Sequence, residues 1–191
     1  MEKEISEIIK ILKKDGVGVL PTDTLYGLVG SAYSEKAVER IYGLKNRSEK
    51  KSLIVLISSI DDLKNFGVKI TEKAKIFMQK FWPGKVSIIL CFNDKKLSYL
   101  DKMGGTLAFR FPNKKDLIDL LKETGPLVAP SANPEGEIPA KNIEEARKYF
   151  GNKVDFYIDE GKIISEPSTL VRIDEDEIKV LREGAVKIVE S

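Results

Sequence analysis

Apolar positions recur at helical spacing over residues 2–14, where Ile5, Ile8, Ile9, Ile11 and Leu12 fall on or near one face and Asp15-Gly16 closes the segment. A short apolar strand follows over 17–20, stopped by Pro21, and a second extended segment over 25–32. Ser34, with Glu35 behind it, reads as the N-cap of a helix carrying Ala37, Val38, Ile41, Tyr42 and Leu44. Residues 53–57 form a strand that is apolar on both faces, and helices are expected over 60–66 and 71–80. The longest strand spans 86–92, followed by a lysine-rich loop, a strand over 106–109 and a helix over 114–122. Residues 127–129 lead into a loop rich in Pro, Asn and Gly, then a helix over 143–149. The remainder is strand-like, over 154–158, 168–173, 178–181 and 186–189, with tight turns between. Strands alternating with helices and then a strand-rich end predict an α/β architecture, a single twisted mixed β-sheet with flanking helices. Neither a repeat nor a linker is visible, and the polar stretch 160–167 is too short to separate domains, so one domain over 1–191 is expected.

Composition narrows the chemistry. A length of 191 residues suits one domain with a substantial core, and 42% hydrophobic with 32% charged residues reads as globular. No apolar run approaches the length of a membrane span, and the charged N-terminus lacks the apolar stretch of a signal peptide, so a cytoplasmic location is expected. The only cysteine, Cys91, lies in the apolar run Ser87-Ile-Ile-Leu-Cys-Phe92; it excludes an internal disulfide and is expected to be a buried structural thiol. A net charge of +2 provides no global attraction for nucleic acid, so any anion site must be local. The chain has no histidine, which removes the commonest general base, the usual catalytic triads and most zinc sites. Chemistry must then rest on Lys, Arg, Ser, Thr, Asp or Glu, or on the substrates themselves.

Four loop-like segments concentrate functional groups. Pro21-Thr-Asp-Thr-Leu-Tyr-Gly27 leaves a strand end, where α/β sheets commonly place ligands, although the same residues also make a plain turn. Between a predicted helix end and a buried strand stand Lys45, Arg47, Lys50 and Lys51. Helix-dipole compensation accounts for Lys45 and extends at most to Arg47; the full cluster suits a polyphosphate or, equally, a solvated charge run. Leu127-Val-Ala-Pro-Ser-Ala-Asn-Pro-Glu-Gly136 presents Ser131 and Asn133 between prolines, fit either to donate to phosphate or carboxylate oxygens or to satisfy turn backbone. Pro167-Ser-Thr-Leu-Val171 and Leu181-Arg-Glu-Gly184 each set a hydroxyl or a cation at a strand edge.

In order, these segments resemble the YrdC-like family of threonylcarbamoyl-AMP synthases. The resemblance rests on Pro21-Thr-Asp-Thr-Leu-Tyr-Gly-Leu28, Ile41-Tyr-Gly-Leu-Lys-Asn-Arg47, Phe81-Trp-Pro-Gly84, Ala108-Phe-Arg-Phe-Pro112, Ala129-Pro-Ser-Ala-Asn133, Pro167-Ser-Thr169 and Leu181-Arg-Glu-Gly184. It implies a YrdC-like fold with a concave basic cleft, and synthesis of threonylcarbamoyl-AMP and pyrophosphate from L-threonine, bicarbonate and ATP. The resemblance further implies that the product goes to a separate transferase that modifies tRNA. Magnesium is expected to accompany ATP as substrate, with no tightly bound cofactor and no dedicated metal site. By position, Lys45, Arg47, Ser131 and Asn133 match the family's catalytic residues. Arg47, Lys51, Thr106, Ser131, Ala140 and Arg182 match the ATP site, with Ala140 standing where a serine is frequent. Thr24, Leu56, Arg110, Ala129 and Ser168 match the threonine pocket.

Some positions depart from the family pattern: Lys85-Val-Ser87 follows the Trp-Pro-Gly element, and Lys51-Ser-Leu53 replaces a proline-containing form. The additional C-terminal domain of longer relatives is not expected. Two alternatives remain at this level, an RNA-binding module with local charge from Lys95-Lys96 and Lys114-Lys115, and a paralogue acting on another amino acid or on a carbamoyl substrate.

Overall fold

The computed structural model describes residues 2–46, 53–100, 104–174 and 177–188. Its α-helices are α1 (Glu2–Leu12), α2 (Glu35–Lys45), α3 (Glu72–Phe81), α4 (Lys115–Thr124) and α5 (Ile143–Phe150). The strands are β1 (Val17–Pro21), β2 (Tyr26–Ser31), β3 (Ile54–Leu56), β4 (Val86–Cys91) and β5 (Thr106–Arg110), then β6 (Leu127–Val128), β7 (Phe156–Tyr157), β8 (Thr169–Ile173) and β9 (Ile178–Arg182). Short polar side chains start the helices by accepting free backbone N–H groups. Ser34 accepts from Ala37 at 3.1 Å, Thr71 from Ala74 at 3.2 Å and Asn142 from Glu145 at 2.8 Å.

The nine strands among the described residues join one mixed sheet in the order β7-β1-β2-β6-β3-β5-β4-β8-β9. The β1–β2 hairpin is antiparallel, β3 runs parallel to β5, and β4 runs parallel to β8. Alternation with a period of two divides the side chains between two cores. Val17 and Val19 of β1, Leu28 of β2 and Val55 of β3 face the larger core with α2, α3 and α5. Leu20, Val29 and Leu56 face a smaller one, closed by Ile8 and Leu12 of α1 and by Leu117, Leu120 and Leu121 of α4. Each such buried leucine contributes about 1.5–3 kcal/mol relative to an exposed one.

The structure corrects several expectations. Residues 60–66 form a 3-10 helix, and the lysine-rich loop becomes a second one, Lys95–Leu100. Residues 186–188 add no strand; the main chain of Val186 instead bonds the Thr169 hydroxyl, which donates to its carbonyl at 2.6 Å and accepts from its N–H at 3.1 Å. Residue 189 lies outside the described residues. Cys91 is exposed, because β4 alternates and its last position falls on a side that Ile89 also leaves partly open. Among the described residues no helix is long and apolar enough to cross a membrane.

Candidate active site

The turn after β1 is self-braced. The Thr22 hydroxyl donates to the Leu25 carbonyl at 2.7 Å and accepts from the N–H groups of Thr24 and Leu25. This leaves the Thr24 hydroxyl to accept from Nη1 of Arg110 at 2.8 Å. Arg110, the last residue of β5, is only 4% exposed, and its Nη2 lies 3.2 Å from Oδ1 of Asp23. That ion pair is incomplete, since Asp23 Oδ1 and Arg110 Nε are both buried without a hydrogen-bond partner. Burial pulls the Arg110 guanidinium below its ordinary pKa; the Asp23 charge opposes that shift and Arg182 adds to it.

The Pro-Ser-Ala-Asn loop is laid against β2. The Pro130 carbonyl accepts from Leu28 at 2.9 Å, Ala132 donates to the Tyr26 carbonyl at 2.8 Å, and Ser131 bridges to Gly27. Lys45, from the last turn of α2, is 1% exposed. Its Nζ donates to the carbonyls of Ser131 at 2.6 Å and Asn133 at 2.5 Å, and lies 3.5 Å from Asn133 Oδ1. Asn133 Nδ2 donates at 2.8 Å to the carbonyls of Pro134 and of Glu137. Its Oδ1 accepts from the Ser131 hydroxyl at 2.6 Å.

On the other flank, the Ser168 hydroxyl lies 2.8 Å from that of Ser87, and Arg182 Nη2 donates to the Ser168 carbonyl at 2.8 Å. Gly184 explains this approach: a Cβ there would fall 2.3 Å from the Pro167 carbonyl oxygen, so only glycine lets β9 turn so close. Between the flanks runs the polar stretch 160–167. The Tyr26 hydroxyl donates to the Gly161 carbonyl at 2.7 Å and accepts from the Glu160 N–H at 3.1 Å, and Ile163 donates to the Lys141 carbonyl at 2.8 Å. Burial raises the Tyr26 pKa; the Glu160 N–H lowers it, and the charges of Asp159 and Glu160 raise it further.

These segments enclose a cavity of about 730 Å³. Of the predicted residues, Thr24, Arg110, Ala129, Ser131, Ser168 and Arg182 line it. Lys45, Asn133 and Ala140 do not; Lys45 and Asn133 brace the Ser131 loop, while Ala140 donates its N–H to the Ala132 carbonyl. Leu56 is buried in the smaller core beside its strand partner Arg110, and Thr106 sits at the far end of β5, paired with Cys91. Arg47 and Lys51 lie outside the described residues.

Sequence reasoning missed Ile54, Ile138, Lys141 and the stretch from Ile163 to Glu166, all of which line the cavity. Ile138 and Ile164 are 71% and 79% exposed, and large apolar side chains left this open within polar loops were the available signal.

The arrangement sets two guanidinium groups and six hydroxyl-bearing side chains around one hollow, a set suited to carboxylate and phosphate oxygens. The Sua5–YciO–YrdC family model, described as telomere recombination, matches residues 10–184. The chain belongs to this family. A Methanocaldococcus jannaschii relative, provisionally named threonylcarbamoyl-AMP synthase, is 32% identical over 98% of this chain and 90% of its own length. The Bacillus subtilis threonylcarbamoyl-AMP synthase is also 32% identical, over 97% of this chain and 54% of its own. Among solved structures, Pyrococcus abyssi Sua5 complexed with L-threonine superposes with a TM-score of 0.90 at 28% identity, over 96% of this chain and 55% of that one. This chain thus spans about half the length of the latter two Sua5–YciO–YrdC proteins.

Proposed function

We propose that this protein is an L-threonylcarbamoyladenylate synthase, a nucleotidyltransferase that forms threonylcarbamoyl-AMP and pyrophosphate from L-threonine, bicarbonate and ATP. The observation that carries the reading is the meeting of three of the four segments, the turn after β1, the Ser131 loop and the Ser168–Arg182 flank, with Arg110 in one cavity of about 730 Å³, within the range of roughly 300–1,000 Å³ usual for small-molecule sites. Relatives bearing that enzyme name, and a structural neighbour holding L-threonine, support it.

The chemistry agrees with a chain that has no histidine. The threonine amine and bicarbonate give a carbamate with loss of water. One carbamate oxygen then bonds to the α-phosphorus while the bond from that phosphorus to the bridging oxygen breaks, its electron pair leaving with pyrophosphate. A carboxylate nucleophile needs no protein base; it needs placement and cations that hold the oxygens. In this reading Arg110 takes the threonine carboxylate, with Thr24, Leu56, Ala129 and Ser168 shaping that pocket. Arg47, Lys51 and Arg182 serve ATP, and Lys45, Ser131 and Asn133 organise the reacting centre; Thr106 and Ala140, which do not reach the cavity, stand outside the ATP set. We place magnesium with ATP; among the described residues no group of three or more Cys, Asp or Glu gathers as metal ligands. A tRNA-modifying transferase in the cytoplasm then consumes the acyl-adenylate.

Incubating the protein with threonine, labelled bicarbonate and ATP tests this directly. Label should enter an acyl-adenylate with release of one pyrophosphate. Pyrophosphate release that is indifferent to threonine, or no release at all, would sink the reading.

A further inference from the structure

We propose that Ser87, behind the cavity wall, is a positioning residue that turns the Ser168 hydroxyl into a hydrogen-bond donor aimed at the carboxylate of the substrate threonine. The inference rests on the synthase reading and adds to it a residue that does not itself touch substrate.

An apolar strand gives little local reason for a buried serine. In β4, Val86, Ile88 and Leu90 join the larger core, so alternation sends Ser87 to the opposite side of the sheet. There it is 0% exposed, and its one hydrogen-bond partner is Ser168, with 2.8 Å between the hydroxyl oxygens. Strand register holds the two together. β4 runs parallel to β8 with Val86 opposite Thr169, and the Lys85 carbonyl accepts the Thr169 N–H at 3.1 Å. Ser168 lines the cavity and Ser87 does not.

Protons and lone pairs set the direction of the pair. Ser168 Oγ faces Nη2 of Arg182 at 3.3 Å, and a guanidinium N–H only donates, so one lone pair of Ser168 is taken. If Ser168 gave its proton to Ser87, the proton of Ser87 would have no acceptor at a fully buried position and would bear the desolvation cost of an unmet donor. With Ser87 as the donor that cost disappears. Ser168 then accepts from both neighbours, its two lone pairs are filled, and its own O–H is the capacity left for the cavity.

An O–H presented in this way suits an oxygen that carries negative charge. Arg182 touches Ser168, and it is close enough to Arg110 for its charge to help lower the pKa of that guanidinium. In the synthase reading Arg110 takes the threonine carboxylate, and the Ser168 O–H adds a second, uncharged contact to the same group. Loss of the Ser87 hydroxyl would empty one lone pair of Ser168 and free its proton to turn away from the substrate.

Steady-state kinetics of acyl-adenylate formation test this with Ser87→Ala, Ser87→Thr, Ser168→Ala and the Ser87→Ala/Ser168→Ala double variant. Ser87→Ala should raise KM for threonine at least threefold and change KM for ATP and kcat by less than twofold. Ser87→Thr, which keeps the hydroxyl, should return KM for threonine to within twofold of the wild type. Adding Ser87→Ala to Ser168→Ala should raise KM for threonine by less than twofold, because the group that Ser87 orients is already gone. Three results overturn the inference while the synthase reading stands: KM for threonine within twofold of the wild type in Ser87→Ala, a rise in KM for ATP as large as that for threonine, or a full Ser87→Ala effect in the Ser168→Ala background. The last also decides the case if Ser87→Thr is too crowded to fold, since it needs only the alanine variants. A wild-type protein that makes no acyl-adenylate from threonine removes both.

Discussion

At the scale of single residues, burial reassigns groups whose type was plain in the sequence. Lys45 stands in the last turn of a helix, where a lysine ordinarily offsets the dipole from the surface. Here it is 1% exposed and tied to the Ser131 loop, because that loop folds over the end of α2. Nothing in the local pattern announces an interaction across 86 residues of chain. Asp23 is a parallel case. Beside Thr22 and Thr24 it reads as a turn residue, yet its carboxylate is 4% exposed and faces Arg110. A guanidinium held by one threonine and one imperfect ion pair keeps N–H capacity for a ligand carboxylate. Asp23→Asn preserves shape and an acceptor for the Asn113 N–H, but removes the charge that orients Arg110. Steady-state kinetics should show KM for threonine rising roughly tenfold, the equivalent of about 1.4 kcal/mol, with KM for ATP changed much less. Equal rises in both constants would mean that Asp23 supports the fold rather than Arg110.

Helices and longer strands were legible because their causes are local. Ser34 and Thr71 mark helix starts by chemistry that a sequence displays, and β1, β4 and β5 are mostly apolar. Strand order was not legible. The two-residue β6 sits between β2 and β3 through pairings to residues about a hundred positions earlier in one case and about seventy in the other, a choice set by packing and not by propensity. The 160–167 stretch fared worst, since polar composition resembles any surface loop and its place against the cavity depends on partners distant in sequence, the Tyr26 hydroxyl, the Lys141 carbonyl and the Lys114 ammonium among them. Tyr26 sits in β2 with its ring in the larger core and its hydroxyl on Gly161 and Glu160. Tyr26→Phe keeps the ring and deletes both bonds, and stability should fall by about 1–2 kcal/mol. Amide exchange should speed up at residues 160–166 and little elsewhere; uniform acceleration across the sheet would show that the hydroxyl holds the fold and not the loop.

For the whole molecule, the lack of histidine simplifies how folding responds to pH. Between about pH 5 and 8 an unperturbed histidine would be the usual titrating side chain, so loss of stability on the acid side should come from carboxylates alone. Asp155 is the one most involved in joining elements. It leads into β7, accepts from the Val17 N–H at the start of β1 at 2.8 Å, and pairs with Arg40 of α2 at 2.6 Å. Burial pushes its pKa up, but the hydrogen bonds from Arg40 and Val17 and the Arg40 charge outweigh that and leave it lowered. A carboxylate lowered by folding contributes stability above its unfolded pKa of about 3.9, and that contribution disappears as pH falls through the folded value. The pair is about a third exposed, so screening limits its worth to roughly 1 kcal/mol. Asp155→Asn should therefore unfold more easily than the wild type at pH 7 by about that amount, and the two should converge once the pH has fallen through the folded value and the aspartate is protonated. Urea midpoints at the two pH values measure this. A deficit of the same size at both would assign the effect to lost packing or hydrogen-bond geometry, because a charge that has been neutralised can no longer distinguish the two proteins.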